Sequence, residues 1–415
     1  MDLIFTLNLS LVLLYLALAF KTYAQYGSKL VAYYYVVFFQ VWTVLSVFYN
    51  DVGIDNIELF RQTYTSFSTA YLCAFYILFH VSFVNNFSKN KGFSFIFGNN
   101  TAIFFYKYKF FLLSTIIGCS ISLVVLYFYK NGFNLTLDRA DYFFNSLFIE
   151  SLFIKYASIL SFTLGLLATF KNRSFAPYFG LFFILLYLFL IGNKFSLLVE
   201  IIFSFIVPLA VLINKNNILR ALPIFVFFGT VFIFFKLNSY YLAHGSIDEA
   251  LNILSYRIFG GQGAIWWGSV DYYVVDNQWS LSNLYTEVGA LGGTKNESEM
   301  VKIMTDLLGY EVTSDLLERG YLYTMAFPAI LLTMMPIYAA LPFMLIFGYI
   351  FSVIILYLND KIRKGHFIRA VIAFSVVIPF INFTQSGSFS VFFTLGIMLK
   401  ILVLIFMENI TRKRL

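Results

Sequence analysis

Charged residues are scarce in this sequence: Asp, Glu, Lys and Arg together make up only 12% of its 415 residues. A soluble domain has about twice that share, so too little polar surface is available here to cover a water-soluble globule. The two cysteines, Cys73 and Cys119, both fall in apolar segments, which excludes a disulfide framework and a zinc site.

Nucleotide-binding and metal-binding motifs are missing as well. The sequence has no P-loop, no dinucleotide fingerprint, no metal-spaced His or Asp cluster and no Gly-x-Ser-x-Gly elbow. These absences disfavour an ATP-driven pump and a cytosolic nucleotide-sugar enzyme. We therefore expect no cofactor and no metal, and we expect any chemistry to be driven by an already activated substrate.

Apolar residues make up 60% of the chain, with 53 Phe and 30 Tyr. A transmembrane helix needs roughly 20 mostly apolar residues, because lipid cannot hydrogen bond to an exposed backbone. The pattern predicts an all-α fold, a polytopic membrane helical bundle of about eleven transmembrane helices, as a single integral membrane domain over residues 1–415. The expected spans are 3–20, 30–49, 66–84, 110–129, 147–170, 178–193, 195–213, 219–236, 326–358, 367–384 and 389–407.

Three prolines and one short turn add detail to this map. Pro328, Pro336 and Pro342 lie in the ninth span, and they predict a short dipping segment followed by a full span. The segment 192–194 is expected to be a tight turn between the sixth and seventh spans.

Most Lys and Arg residues fall in the odd-numbered connections and the C-terminal tail. The positive-inside rule therefore predicts an outside N-terminus and a cytoplasmic C-terminus.

The longest polar stretch, residues 237–322, would then be a large extracytoplasmic (periplasmic) loop between the eighth and ninth spans. It holds four basic and eleven acidic residues. Ser246 and Glu249 form a capping box that predicts an amphipathic helix over Ile247–Phe259, ended by a sharp turn at Gly260-Gly261. A second amphipathic helix is expected from about Asn296 to Gly309.

Paired tryptophans, Trp266 and Trp267, precede Gly268 within this loop. The pair is interpreted either as a platform that stacks on sugar rings or as an anchor at the membrane interface.

Several ionisable residues lie at the predicted outer boundary. Arg139, Lys194 and Lys236 stand against the positive-inside bias, and Glu150 and Glu200 lie one or two turns inside their spans. Cations beside an outer cavity suit a lipid-linked phosphate or diphosphate, which Arg grips with two parallel hydrogen bonds. The alternative for each residue is snorkelling or a structural ion pair.

This layout resembles the O-antigen polymerase (Wzy) family and its relatives, the O-antigen ligases. Ten residues lie between Arg257 and Gly268, which is similar to the Arg-x10-Gly motif in outer loops of such polymerases. The segment 192–196 (Gly-Asn-Lys-Phe-Ser) is similar to a Gly-Ser-Arg segment of the superfamily, with Lys in place of Arg. The family's second Arg-x10-Gly motif is not found in this sequence.

The resemblance implies a metal-independent glycosyltransferase of the GT-C-like type in a bacterial inner (plasma) membrane. Its substrate and partner would be an undecaprenyl-pyrophosphate-linked oligosaccharide within the membrane lipid. The growing glycan would be transferred to a new lipid-linked repeat unit, giving O-antigen or capsular polysaccharide. Partner proteins would be a chain-length regulator and a flippase, and no nucleic acid is expected.

Site residues follow from this expectation. Arg257, Lys194 and Arg139 are the first candidates for the phosphates, and Lys236 and Arg319 are weaker ones. The paired tryptophans and Gly268 belong to the same predicted substrate site.

The catalytic base is expected to be His244, the one His that falls on the outer face. Asp271 and Glu150 are alternatives for this role.

Three other functions remain open at the level of sequence. A lipid-linked oligosaccharide flippase also uses cationic cavities, but it usually has short loops and two similar halves. An O-antigen ligase is scarcely separable from a polymerase by sequence. A membrane acyltransferase is the third alternative.

Overall fold

The computed structural model describes residues 3–51, 67–89, 101–132, 147–170, 174–192, 195–212, 215–283, 299–318, 327–386, 392 and 394–413. This part of the chain consists of helices and their connections and contains no strand. Seven segments within it are helices long and apolar enough to cross a membrane, and two further apolar helices are shorter. The protein is therefore a helical membrane protein, as the sequence predicts.

Described helical residues fall within each of the expected spans. The bounds are α1 Leu3–Tyr26, α2 Val31–Asp51, α3 Ser68–Lys89, α4 Ala102–Lys107, α5 Lys109–Asn131, α6 Phe148–Ala168, α7 Ala176–Leu190, α8 Phe195–Val211, α9 Lys215–His244, α10 Ile247–Phe259, α11 Gly261–Ser269, α12 Glu299–Leu308, α13 Tyr310–Glu318, α14 Ala329–Met334, α15 Ile337–Arg363, α16 Phe367–Ser386 and α17 Leu395–Lys413.

Two boundaries refine the sequence prediction. The ninth expected span is divided into α14 and α15, with extended backbone at Met335 and Pro336 between them. This confirms a short segment followed by a long helix. The candidate span here is Ile218–Asn238, close to the expected 219–236, and its helix α9 continues beyond it to His244.

Neighbouring long helices alternate in direction within α1–α3, α5–α9 and α15–α17. A four-residue 3₁₀ turn, Gly27–Leu30, reverses the chain between α1 and α2. Helices two positions apart along the chain run parallel, and consecutive ones run antiparallel. Contacts that set these directions are Tyr15–Tyr76 and Thr22–His80 for α1 with α3, Ser158–Glu200 and Gly165–Phe205 for α6 with α8, Phe182–Phe228 and Phe189–Phe235 for α7 with α9, and Ser375–Lys400 and Arg369–Glu408 for α16 with α17.

Close helix packing joins two parts of the chain that are far apart in sequence. Helices α3 and α15 run parallel, with Asn86 Nδ2 donating to Ser352 Oγ at 3.2 Å. A Cβ at Gly348 would lie 2.4 Å from the carbonyl oxygen of Phe79. The glycine therefore lets the two backbones approach, as small residues do in membrane bundles.

Polar contacts collect at the two ends of the bundle. At one end Asn359 Nδ2 donates to the carbonyl oxygen of Lys29 at 2.7 Å, and buried Lys361 pairs with Glu408 at 2.7 Å. We call this the basic end. At the other end Asp51 of α2 meets Thr69 of α3, and we call it the loop end.

Candidate functional site

The amphipathic helix predicted from the capping box is present as α10. It begins at Ile247 and ends at Phe259, and the Ser246 side chain accepts a hydrogen bond from the Glu249 backbone N–H at 3.5 Å. Arg257 lies on its last turn, and His244 ends the preceding helix α9. One candidate functional residue therefore precedes, and another ends, a short helix whose bounds the sequence predicts.

The corner between α10 and α11 is fixed on the loop end of α2. The carbonyl oxygen of Gly260 accepts from Ser46 Oγ at 2.9 Å and from Asn50 Nδ2 at 3.1 Å. The Gly263 N–H donates to the same Ser46 oxygen at 2.7 Å. A Cβ at Gly263 would lie 2.5 Å from the backbone nitrogen of Val47. The corner can sit this close to α2 only because residue 263 is glycine.

Gly260 ends α10 without a left-handed backbone conformation. Its backbone stays in the right-handed region, with φ −102° and ψ −47°. A Cβ there would lie 2.8 Å from the Tyr256 ring. Close packing, and not a reversed turn, therefore explains the glycine.

The paired tryptophans lie in the interior of the protein. Trp266 is 1% exposed and Trp267 is 5% exposed. The Trp266 indole N–H donates to the carbonyl oxygen of Ser68 at 2.8 Å, and its ring packs edge-on against Phe75. Neither ring presents a face to a sugar or to lipid headgroups, so both sequence interpretations of the pair are corrected. The pair packs α11 and Gly268 into the bundle.

A buried acid that the sequence analysis missed joins three helix ends beside this corner. Asp51 Oδ2 accepts from the Thr69 backbone N–H at 2.9 Å, from Thr69 Oγ1 at 2.6 Å and from Asn8 Nδ2 at 3.4 Å. These contacts tie α1, α2 and α3 together. The expected second span ends at residue 49, so Asp51 falls in a connection in the sequence prediction. An acid directly after an apolar run is the one local feature that indicates a buried carboxylate at a helix end.

Asp271 lies just beyond α11, in a π-helical turn over Val270–Val275. Single π turns are uncommon and occur often at functional sites. The Asp271 side chain is 7% exposed. On the same turn, the Tyr273 hydroxyl donates to Asp306 Oδ2 of α12 at 2.6 Å. A candidate base is therefore held in an irregular, buried turn that is tied to the next helix.

The second predicted amphipathic helix is also present, as α12, within the described residues. It ends before Gly309, whose φ is +85°. Lys302 Nζ donates to Asn283 Oδ1, and Asn283 Nδ2 donates to the carbonyl oxygen of Thr333 at 2.8 Å. The loop-end segment is thus linked to α14 by side-chain hydrogen bonds.

The remaining candidates fall elsewhere. Glu150 is fully buried; its Oε2 lies 3.0 Å from Lys130 Nζ and accepts from the Leu147 N–H at 2.5 Å. This ion pair joins α5 to α6. Lys236 is exposed on α9, with its ammonium group 6.0 Å from the Phe232 ring centroid. Arg139, Lys194 and Arg319 lie outside the described residues, and for His244 and Arg257 the helix position is what the structure describes.

Two further polar clusters lie within the bundle. Glu200 of α8 is buried and accepts from Ser158 Oγ of α6 at 2.5 Å. His80 of α3 contacts Thr22 Oγ1 at 2.8 Å and the Tyr33 hydroxyl. A buried polar group is stable when it is hydrogen bonded, so these contacts account for both clusters as packing between helices.

Comparison with known proteins finds a family match for part of the chain. Residues 294–403 match a family described as a family of unknown function, DUF6418. The match runs from just before α12 into α17 and includes Lys302, Asp306 and Thr333. No curated protein and no solved structure matches the chain.

Proposed function

We propose that this protein is a membrane glycosyltransferase that joins lipid-diphosphate-linked oligosaccharide repeat units into a surface polysaccharide. The reaction forms a bond between an acceptor hydroxyl oxygen and the anomeric carbon of the donor sugar. The bond from that carbon to the diphosphate oxygen breaks, and the lipid diphosphate leaves with the electron pair. The acceptor proton passes to a base. The energy is already in the substrate.

The observation that carries the proposal is the attachment of the α10–α11 corner to the loop end of the bundle. An enzyme acting on a lipid-borne diphosphate needs extramembranous residues held at a fixed position beside the lipid. Ser46 and Asn50 hold Gly260, three residues beyond Arg257, and α11 continues directly into the turn that carries Asp271. One folded segment therefore carries Arg257 and Asp271 at the same end of the bundle.

The proposed roles follow from this placement. Arg257 grips the leaving diphosphate and stabilises the charge that develops on it. Asp271 or His244 receives the acceptor proton. Glu150 is set aside as a base, because its carboxylate already pairs with Lys130.

We further propose eleven membrane crossings with the loop end outside. The alternating directions of neighbouring helices support this count, since an odd number of crossings places the two termini on opposite sides. The basic end collects Lys361, Lys364 and Arg369, which supports placing it on the cytoplasmic side.

Gel analysis of surface polysaccharide from a deletion strain tests the function. We expect single repeat units on the acceptor in place of long chains, and long chains again when the gene is restored. Free lipid-linked polymer would indicate a ligase instead. Repeat units trapped in the cytoplasm would indicate a flippase.

A further inference from the structure

The chain that follows the π-helical turn, residues 276–283, is tied to α14 by hydrogen bonds. The Ser280 N–H donates to the carbonyl oxygen of Thr333 at 2.9 Å, and Asn283 Nδ2 donates to the same oxygen at 2.8 Å. The Ser280 and Ser282 hydroxyls lie 2.8 Å apart. We call residues 276–283 the polar loop. A hydrogen-bonded polar loop at the loop end is unlike the apolar surface of the spans.

Trp279 stands within the polar loop, with its indole ring fixed and partly exposed. Its N–H donates to Asn277 Oδ1 at 2.7 Å. Asn277 has φ +56°, a left-handed conformation that asparagine tolerates better than most residues. The backbone at residue 277 and the hydrogen bond from its side chain together set the orientation of the indole.

The surroundings of Trp279 match the chemistry of sugar recognition. A pyranose has apolar C–H faces that pack on an aromatic ring and equatorial hydroxyls that need donors and acceptors at its edge. Asp276, Asn277, Gln278 and Ser282 are all exposed and lie within three residues of Trp279 in the sequence, and Asn277 contacts the indole directly. In contrast, Trp266 and Trp267 are buried and have no open face.

We propose that Trp279 is the platform of a saccharide subsite, on which a sugar of the repeat unit stacks while the polar loop binds its hydroxyls. The class of ligand rests on the proposed function; the position of the subsite rests on the geometry of the polar loop. Helix α12 closes this side of the loop through the hydrogen bond from Lys302 to Asn283. The subsite therefore lies on the same folded segment as Arg257 and Asp271.

Binding to the full-length protein in nanodiscs tests the subsite. The probe is the free repeat-unit oligosaccharide released from the producing strain's own polysaccharide. We expect its Kd to rise about tenfold in Trp279→Ala, a loss typical of truncating a well-placed tryptophan. We expect the saccharide-induced change in tryptophan fluorescence to vanish in Trp279→Phe. Trp42→Phe is the matched control, because Trp42 packs on Phe38 and Phe39 within α2, and it should keep the change.

Two outcomes overturn the subsite. One is equal saccharide affinity in the wild type and Trp279→Ala. The other is strong quenching of Trp279 by brominated lipid, which would make the indole an anchor in the headgroup layer. If Trp279→Ala does not fold, Asn277→Ala takes its place, since it frees the indole and should also weaken binding.

The failure of the subsite can be told apart from the failure of the proposed function. If Trp279→Ala binds the saccharide as the wild type does, and the deletion strain makes shortened polysaccharide, then the subsite alone is wrong. Normal polysaccharide in the deletion strain, with no saccharide binding by the wild type, removes both.

Discussion

Arg257 and Asp271 are the residues on which the proposed chemistry depends most directly. Arg257 lies on the last turn of α10, and Asp271 lies in the turn after α11. The corner between them is attached to Ser46 and Asn50. Their separation is therefore set by contacts between side chains and backbone that are independent of either residue's own charge.

Replacing Arg257 tests the phosphate role. Arg257→Ala should cost on the order of 3 kcal/mol of transition-state stabilisation, about a hundredfold in rate. Polymer should be short or absent at unchanged protein level. Arg257→Lys should recover part of the length, because Lys restores the charge without the two-pronged geometry. Full-length polymer from a well-expressed Arg257→Ala variant would take this residue out of the site.

Replacing Asp271 tests the base. Asp271→Asn should lower the rate by about 10² to 10⁴, the range for loss of a general base. Asp306→Asn is the matched control at the same end, because an amide oxygen can still accept from the Tyr273 hydroxyl. That control should polymerise at a near-normal rate. An active Asp271→Asn variant beside an inactive His244→Gln variant would assign the proton transfer to His244.

At the scale of elements, the attachment of α11 to α2 is the feature that positions the site. Gly263→Ala should displace α11, since its Cβ would meet the Val47 backbone nitrogen. Overpacking of this kind costs about 1–3 kcal/mol, so the unfolding temperature in detergent and the polymer length should both fall. Gly229→Ala is the control, since a Cβ there has nothing within 4 Å, and it should leave both unchanged. Equal behaviour of the two variants would contradict this account of the corner.

Elements with a local signal could be predicted from the sequence. The capping box at Ser246 predicts α10, apolar periodicity predicts α12, and three prolines predict the division between α14 and α15. Such signals are local because caps and amphipathic faces are set within a few residues.

Elements that depend on distant contacts could not be predicted. The burial of Trp266 is set by Ser68, and the attachment of Gly260 is set by Ser46, each about two hundred residues away in sequence. The role of Asp51 could not be predicted for the same reason, since its partners Asn8 and Thr69 lie on two other helices. Among the ionisable residues near the predicted boundary, Glu150 forms an ion pair with Lys130, which is the structural alternative for that residue.

At the scale of the whole molecule, the proposed orientation can be tested by labelling. After the two natural cysteines are replaced, single cysteines are introduced at 276–283 and at 85–89. An impermeant thiol reagent added to intact spheroplasts should label the first set and leave the second unlabelled. The reverse pattern would invert the topology, and the proposed reaction would then face the cytoplasm.

The most direct test of the central claim is polymerisation by the purified protein. The protein in nanodiscs is mixed with lipid-diphosphate-linked repeat units, without nucleotide and with excess chelator, and the glycans are separated on a gel. We predict a ladder of products that differ by one repeat unit, and no ladder from Arg257→Ala. Single units that remain unchanged under these conditions, while the same protein moves them across proteoliposome membranes, would contradict the polymerase and identify a transporter.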